Sequence, residues 1–188
     1  MAIEGWSFGG YLSLRTASKY PDDYKAVVSI APVADWRLYD NIYSEKYMGF
    51  PAENAEGYDN TSVLKYLPDI QASIFLAYGT ADDNVRIQNS MAIIRNCIDN
   101  EKDIRTLVFP NDNHSLAGHR SRIYLMRNMF QFLEEKLKWF SEFSHLSCQV
   151  YFDFQKKIIF ARLFARMLEL VDKHVSGACV FTDMRVRV

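Results

Sequence analysis

The sequence predicts an α/β fold, a mostly parallel sheet with flanking helices, and three observations carry that prediction. Four short runs, "MAI", "KAVVSIAPV", "ASIFLAYGT" and "IRTLVFP", are apolar and bounded by Gly, Pro or charged residues. Continuous apolar runs of this length read as strands covered on both faces, which is the habit of parallel sheets. The stretches between them carry helical apolar spacing, so strand and helix alternate along the chain. Finally "GWSFGG", residues 5–10, fits G-x-S-x-G, a tight turn that leads from a strand directly into a helix.

Each element follows in order. "MAI" supplies the strand before the turn, and "GYLSLRTASKY" places Tyr11, Leu12, Leu14, Arg15 and Ala17 at helical spacings before Pro21 stops the run. After the second strand, "WRLYDNIY" puts Trp36, Tyr39 and Tyr43 at i, i+3 and i+7, the pattern of one helix burying an aromatic face. "VRIQNSMAIIRNCIDNEK", between the third and fourth strands, repeats apolar residues at Ile87, Met91, Ile94 and Ile98 and predicts a crossover helix on that stripe. A last amphipathic helix is predicted from about Ser121 to Trp139, with Leu125, Met129, Phe132, Leu133 and Leu137 facing inward. Further on, Phe160, Leu163, Phe164, Met167, Leu168 and Val171 form a stripe beside Lys156, Lys157, Arg162 and Arg166, a pattern that suits an interfacial helix.

With 188 residues, 49% hydrophobic and 14% aromatic, the chain has material for one domain with a sizeable core. Lysine plus arginine number 22 against 23 acidic residues, so the charge balance points neither to nucleic acid nor to an acidic membrane surface. Peptide or small-molecule chemistry is the better expectation. Cys97, Cys148 and Cys179 are widely spaced without a C-x-x-C pair, which argues against zinc and against a dense disulfide framework. No metal and no cofactor are expected. No run of about 18 apolar residues occurs, and Met1 leads straight into the first strand, so neither an anchor nor a signal is expected within this chain.

Parallel sheets present their active groups on loops at the carboxyl ends of the strands. There the chain offers Ser7 after the first strand, Asp82, Asp83 and Asn84 after the third, and His114 after the fourth, with His119 a little further on. Serine, aspartate, histidine is the chain order of an α/β-hydrolase. The chemistry needs those types: a serine hydroxyl is a poor nucleophile until an imidazole takes its proton, and a carboxylate orients that imidazole. Sequence order alone does not choose between Asp82 and Asp83, either of which suits a helix N-cap. His145 and His174 lack such a context and read as structural.

"GWSFGGY", "APVADWRLYDNIYSEKYMGFP", "GTADDNV" and "NHSLAG" together resemble the catalytic domain of the prolyl oligopeptidase family of serine peptidases, most closely its dipeptidyl peptidase IV branch. The resemblance spans about residues 2–138 and divides the chain into a partial α/β-hydrolase domain, 1–139, and an unrelated tail, 140–188. It implies Ser7 as nucleophile, His114 as base, Asp82 as the carboxylate that holds it, and the Phe8 backbone N–H as an oxyanion donor. A second donor in that family is a tyrosine hydroxyl upstream of the elbow. Phe8, Val33, Trp36, Tyr39, Tyr43 and Val85 stand where the family forms its proline pocket, and Asn84 where it binds the next carbonyl toward the amino end of a peptide.

The implied activity is removal of dipeptides after a penultimate proline or alanine. The alternatives are another α/β-hydrolase, acting on esters or acylated peptides, and a non-catalytic chain that works through a partner. Complete members carry a β-propeller and the first sheet strands before the elbow, and the residues that bind a free amino group lie there. The chain is therefore expected to be a fragment, with the apolar elbow strand as a new sheet edge, poorly soluble and nearly inactive alone. Peptide substrates, a homodimeric parent and a secreted or membrane-anchored ectodomain are what the resemblance implies. Asn60-Thr61-Ser62 fits glycosylation of such an ectodomain, while Ala26 and Lys136 stand where many secreted relatives pair two cysteines. "MLELVDKHVSGACVFTD" and the closing "MRVRV" resemble accidental translation, as in a truncated or mis-spliced gene model.

Overall fold

The apolar runs pair side by side as predicted. In the computed structural model, which describes residues 1–137 and 179–181, the strands are β1 (Ala2–Trp6), β2 (Ala26–Ile30), β3 (Ser73–Gly79), β4 (Ile104–Phe109) and β5 (Cys179–Phe181). Their order is β4-β3-β2-β1-β5, with the first four parallel. The register sets Trp6 beside Ile30 and Ile30 beside Ala77, which brings the carboxyl ends of neighbouring strands into one row. α1 (Phe8–Lys19), α5 (Gln88–Asp99) and α6 (His119–Leu137) pack on the sheet.

Alternation along the strands divides the core in two. Ile3, Val27, Ile74 and Leu76 pack with Tyr11, Leu14 and Ala17 of α1 and with Ile93 and Cys97 of α5. Val28, Ile30, Phe75 and Ala77 pack on the other face with Leu125, Met129 and Phe132 of α6, where the Phe75 and Phe132 rings lie 5.4 Å apart. The inward residues predicted for α6 hold: three are buried and Leu133 and Leu137 pack partly against them. The predicted end of that helix at Trp139 lies outside the described residues, as do His145, Cys148, His174 and the basic amphipathic stripe at 156–171.

Four expectations need correction. β4 is not a buried strand: it forms the outer edge of the parallel sheet, so Arg105 and Thr106 are exposed and Arg105 pairs with Glu135 of α6. α5 has the predicted period in another phase, for Met91 and Ile98 are exposed while Asn89, Ile93 and Cys97 are buried. The aromatic stretch is not one helix but a 3-10 turn, Trp36–Leu38, followed by α2 (Asn41–Met48). The break follows from two local caps: the carboxylate of Asp35 accepts from Arg37 N and that of Asp40 from Ile42 N, each at 2.8 Å. The bare edge expected at β1 is covered in part, because β5 pairs antiparallel with Ala2–Glu4. Two short helices, α3 (Ala55–Thr61) and α4 (Val63–Tyr66), complete the connection to β3 and are too brief to leave a periodic signal.

Glu4 interrupts this core. It is 7% exposed in the middle of β1, and burial pushes its carboxyl up to about 7. A native group with a raised carboxyl pKa binds its proton more tightly than the unfolded chain does. Its stabilisation is therefore complete below the ordinary value of 4.5 and is lost as pH rises toward about 7. Glu4→Gln should be more stable than the native protein at pH 8, by about 3 kcal/mol at most, with the difference vanishing near pH 4. Urea unfolding at the two pH values measures this, and equal differences at both would show that Glu4 is not held neutral.

Candidate active site

Ser7 stands at the junction of β1 and α1 with φ 58° and ψ −120°, a left-handed conformation that a residue with a side chain rarely adopts. Main-chain bonds hold it there: Ser7 N donates to Ile30 O at 2.8 Å, and Tyr11 N donates to Ser7 O at 3.0 Å. The strand and helix approach so closely that a Cβ at Gly5 would run into the carbonyl of Gly9. Phe8, the first residue of α1, carries one of the amides that a helix start leaves without intrahelical partners, at the positive end of the helix dipole.

Asp82 and Asp83, indistinguishable by order, are separated by structure. Asp83 is exposed, whereas the Asp82 side chain is 1% exposed and lies 2.7 Å from His114 Nδ1. Asp82 Oδ1 also accepts from Asn84 N at 3.0 Å and Val85 N at 2.8 Å, so the carboxylate serves the local turn as well as the histidine. A carboxylate with this donor set calls for a proton on Nδ1, which leaves Nε2 as the acceptor. His119 opens α6 in solvent.

The loop that carries His114 is pinned on several sides. Leu116 is fully buried, Asn113 Oδ1 accepts from Ser115 N, and Asn111 N donates to Thr80 Oγ1 at 2.8 Å. At Gly79 the third strand passes so near this loop that a Cβ would meet the carbonyl of Asp112. Trp6 Nε1 donates to His114 O at 3.0 Å and so ties the histidine loop to the residue just before Ser7. The hydrogen bonds formed among the described residues do not include one between Ser7 and His114. Catalytic contacts of this kind often close only when substrate is bound.

Beside Ser7 lies the aromatic group. Trp36 has ring neighbours Phe8 at 5.8 Å, Tyr39 at 5.8 Å and Tyr43 at 5.9 Å, with Tyr11 behind it at 5.2 Å. Val33 and Val85 are buried in the same cluster as Trp36. The Tyr39 hydroxyl donates to Asn84 Oδ1 at 2.7 Å, and burial, with Tyr43, Asp40 and Asp82 nearby, pushes the Tyr39 phenol above its ordinary pKa. A cleft of about 280 Å³ opens along Tyr39, Asp40, Ile42, Tyr43, Lys46 and Tyr47, so it lies alongside the aromatic group and includes none of Ser7, Asp82 or His114. Among the described residues no cluster of His, Cys, Asp or Glu is placed to hold a metal ion.

Two structural contributors were not anticipated from the sequence. Trp6 was read only as the variable residue of the turn, and Asn89 fell outside the apolar stripe assigned to its helix. A polar residue at a core-facing phase of α5 was the signal available for Asn89; nothing in the spacing pointed to Trp6.

A serine between strand and helix, a buried aspartate bonded to histidine, and a parallel sheet with these groups at its strand ends are the arrangement of the α/β-hydrolase fold. Residues 1–139 match the prolyl oligopeptidase family model, and the chain belongs to that family. It is 41% identical over 129 residues to dipeptidyl aminopeptidase B of Saccharomyces cerevisiae, covering 65% of this chain and 15% of that protein. It is 35% identical over 140 residues to prolyl endopeptidase FAP of Mus musculus, covering 72% of this chain and 18% of that protein. The crystal structure of Porphyromonas gingivalis dipeptidyl peptidase 4 is similar, with a TM-score of 0.70 and 36% identity over 72% of this chain and 19% of that one. The chain thus spans less than a fifth of the length of these relatives.

Proposed function

We propose that this chain carries the catalytic residues of a serine peptidase that removes dipeptides after a penultimate proline or alanine. The observation that carries the reading is the bond of the buried Asp82 carboxylate to His114 Nδ1, tied through Trp6 to the strained serine elbow. In this reading Ser7 Oγ attacks the peptide carbonyl while His114 Nε2 takes its proton. Asp82 stabilises the imidazolium that results, and the Phe8 N–H faces the oxyanion. The imidazolium then protonates the leaving amine, and a water molecule, deprotonated in turn by His114, releases the acyl group and regenerates Ser7.

The aromatic ring group beside Ser7, with Val33 and Val85, supports a small cyclic side chain at the bond cleaved, and Asn84 offers a side-chain amide to a peptide carbonyl. Relatives named as dipeptidyl aminopeptidases support the same substrate class. The test, on the chain joined to the upstream strands of a family relative, is a fluorophosphonate probe followed by peptide mapping, together with hydrolysis of a chromogenic glycyl-prolyl amide. Labelling at Ser7 and release of the chromophore are expected. Labelling at another serine would overturn the nucleophile, and turnover of simple esters without turnover of the prolyl amide would overturn the peptidase assignment.

A further inference from the structure

The Asn89 amide has no part in the proton transfers above, yet it joins the two segments that carry Val33, Trp36 and Tyr39 on one side and Asn84 and Val85 on the other. Its side chain is fully buried. Oδ1 accepts from Ala34 N at 2.9 Å, while Nδ2 donates to Arg86 O at 3.2 Å and to Leu38 O at 3.3 Å. Ala34 and Leu38 bracket Trp36 on the segment that also carries Val33 and Tyr39. Arg86 adjoins Val85 and Asn84 on the other. One amide therefore uses both donors and its oxygen to link the two segments. The outer link between them, Tyr39 to Asn84, is exposed and competes with water, whereas the Asn89 bond to Ala34 N is buried.

We infer that Asn89 is a positioning residue that sets the spacing between these two segments, and through it the preference for a proline-sized ring over a larger one. The inference rests on the peptidase reading for the substrate held between these segments, though not for the tether itself. Small differences in pocket size are worth about 10- to 200-fold in discrimination, so a released wall should be measurable.

The test uses the chain joined to the upstream strands and propeller of a dipeptidyl aminopeptidase relative, with two amides, glycyl-pyrrolidide and glycyl-tetrahydroisoquinolide, whose binding is read by calorimetry. Labelling of Ser7 by fluorophosphonate is followed in parallel. Asn89→Ala should lose about tenfold in affinity for the pyrrolidide, keep or gain affinity for the larger ring, and label at a rate within about threefold of the native chain. Asn89→Ser can keep the Arg86 bond but is too short to span Ala34 and Leu38 together, and should fall between; it decides the matter if the alanine variant does not fold. A ratio of affinities unchanged within about twofold overturns the proposal, as does equal weakening of both amides, which is what a merely structural role predicts. A native chain that binds neither amide also overturns it. A native chain that binds the pyrrolidide but is not labelled overturns the catalytic reading instead, and the affinity ratio still decides the role of Asn89.

Discussion

In the chain joined to the upstream strands of a family relative, Ser7→Ala is expected to abolish fluorophosphonate capture and to lower turnover of a prolyl amide by about 10⁶-fold, the loss seen when a triad nucleophile is removed from a serine protease. The prediction is sharp because the substitution leaves the scaffold in place. The bonds that hold the elbow, Ser7 N to Ile30 O and Tyr11 N to Ser7 O, belong to the main chain and survive the change. Alanine retains a Cβ, so the strain at φ 58° is retained too. Ser7→Gly is the instructive companion. Glycine accepts this conformation without penalty and should stabilise the fold by about 1 kcal/mol while removing the same hydroxyl. Thermal unfolding and turnover together then separate strain from chemistry. If either variant kept more than about a thousandth of native turnover, the nucleophile would lie elsewhere. If Ser7→Gly were less stable than the native chain, the elbow would not be strained as its dihedral angles indicate.

The parts of this molecule that were legible in its sequence are those where one residue type answers a local demand. Continuous apolar runs with their closing glycine or proline gave β2 and β3, and Gly5 and Ser7 marked the elbow because few residues tolerate so close a crossing of strand and helix. Phase was less legible than period. In α5 the apolar residues follow a helical repeat, but Asn89 takes a core-facing position because its amide can satisfy backbone groups on two segments, which an aliphatic side chain there could not do. β4 read as buried because its own residues are apolar enough, while exposure is decided by what lies beside it in the sheet. The aromatic stretch broke where Asp35 and Asp40 each offered a cap, a local competition that spacing alone does not weigh. Tethers such as Trp6 to His114 join residues far apart in sequence, and a pattern read along the chain has no access to them.

The adjacent carboxylates supply the sharpest test of the proton path. Asp82→Asn is expected to lower kcat by about 10⁴-fold, because an amide that accepts from Asn84 N and Val85 N through its oxygen turns its NH₂ toward His114 and favours the tautomer with the proton on Nε2. That tautomer cannot accept from Ser7. Binding of a prolyl amide should change little, since Asp82 faces the histidine and the turn rather than the aromatic rings, so KM should stay within about threefold while kcat falls. The residual activity of Asp82→Asn should shift toward alkaline pH, where hydroxide replaces the missing base. Asp83→Asn, at an exposed position one residue away, should leave kcat within about threefold and so controls for the loss of a negative charge. Comparable losses in the two variants would mean that the Asp82 bond to His114 shapes the loop without orienting the base. A loss confined to Asp83→Asn would move the role to the neighbouring carboxylate.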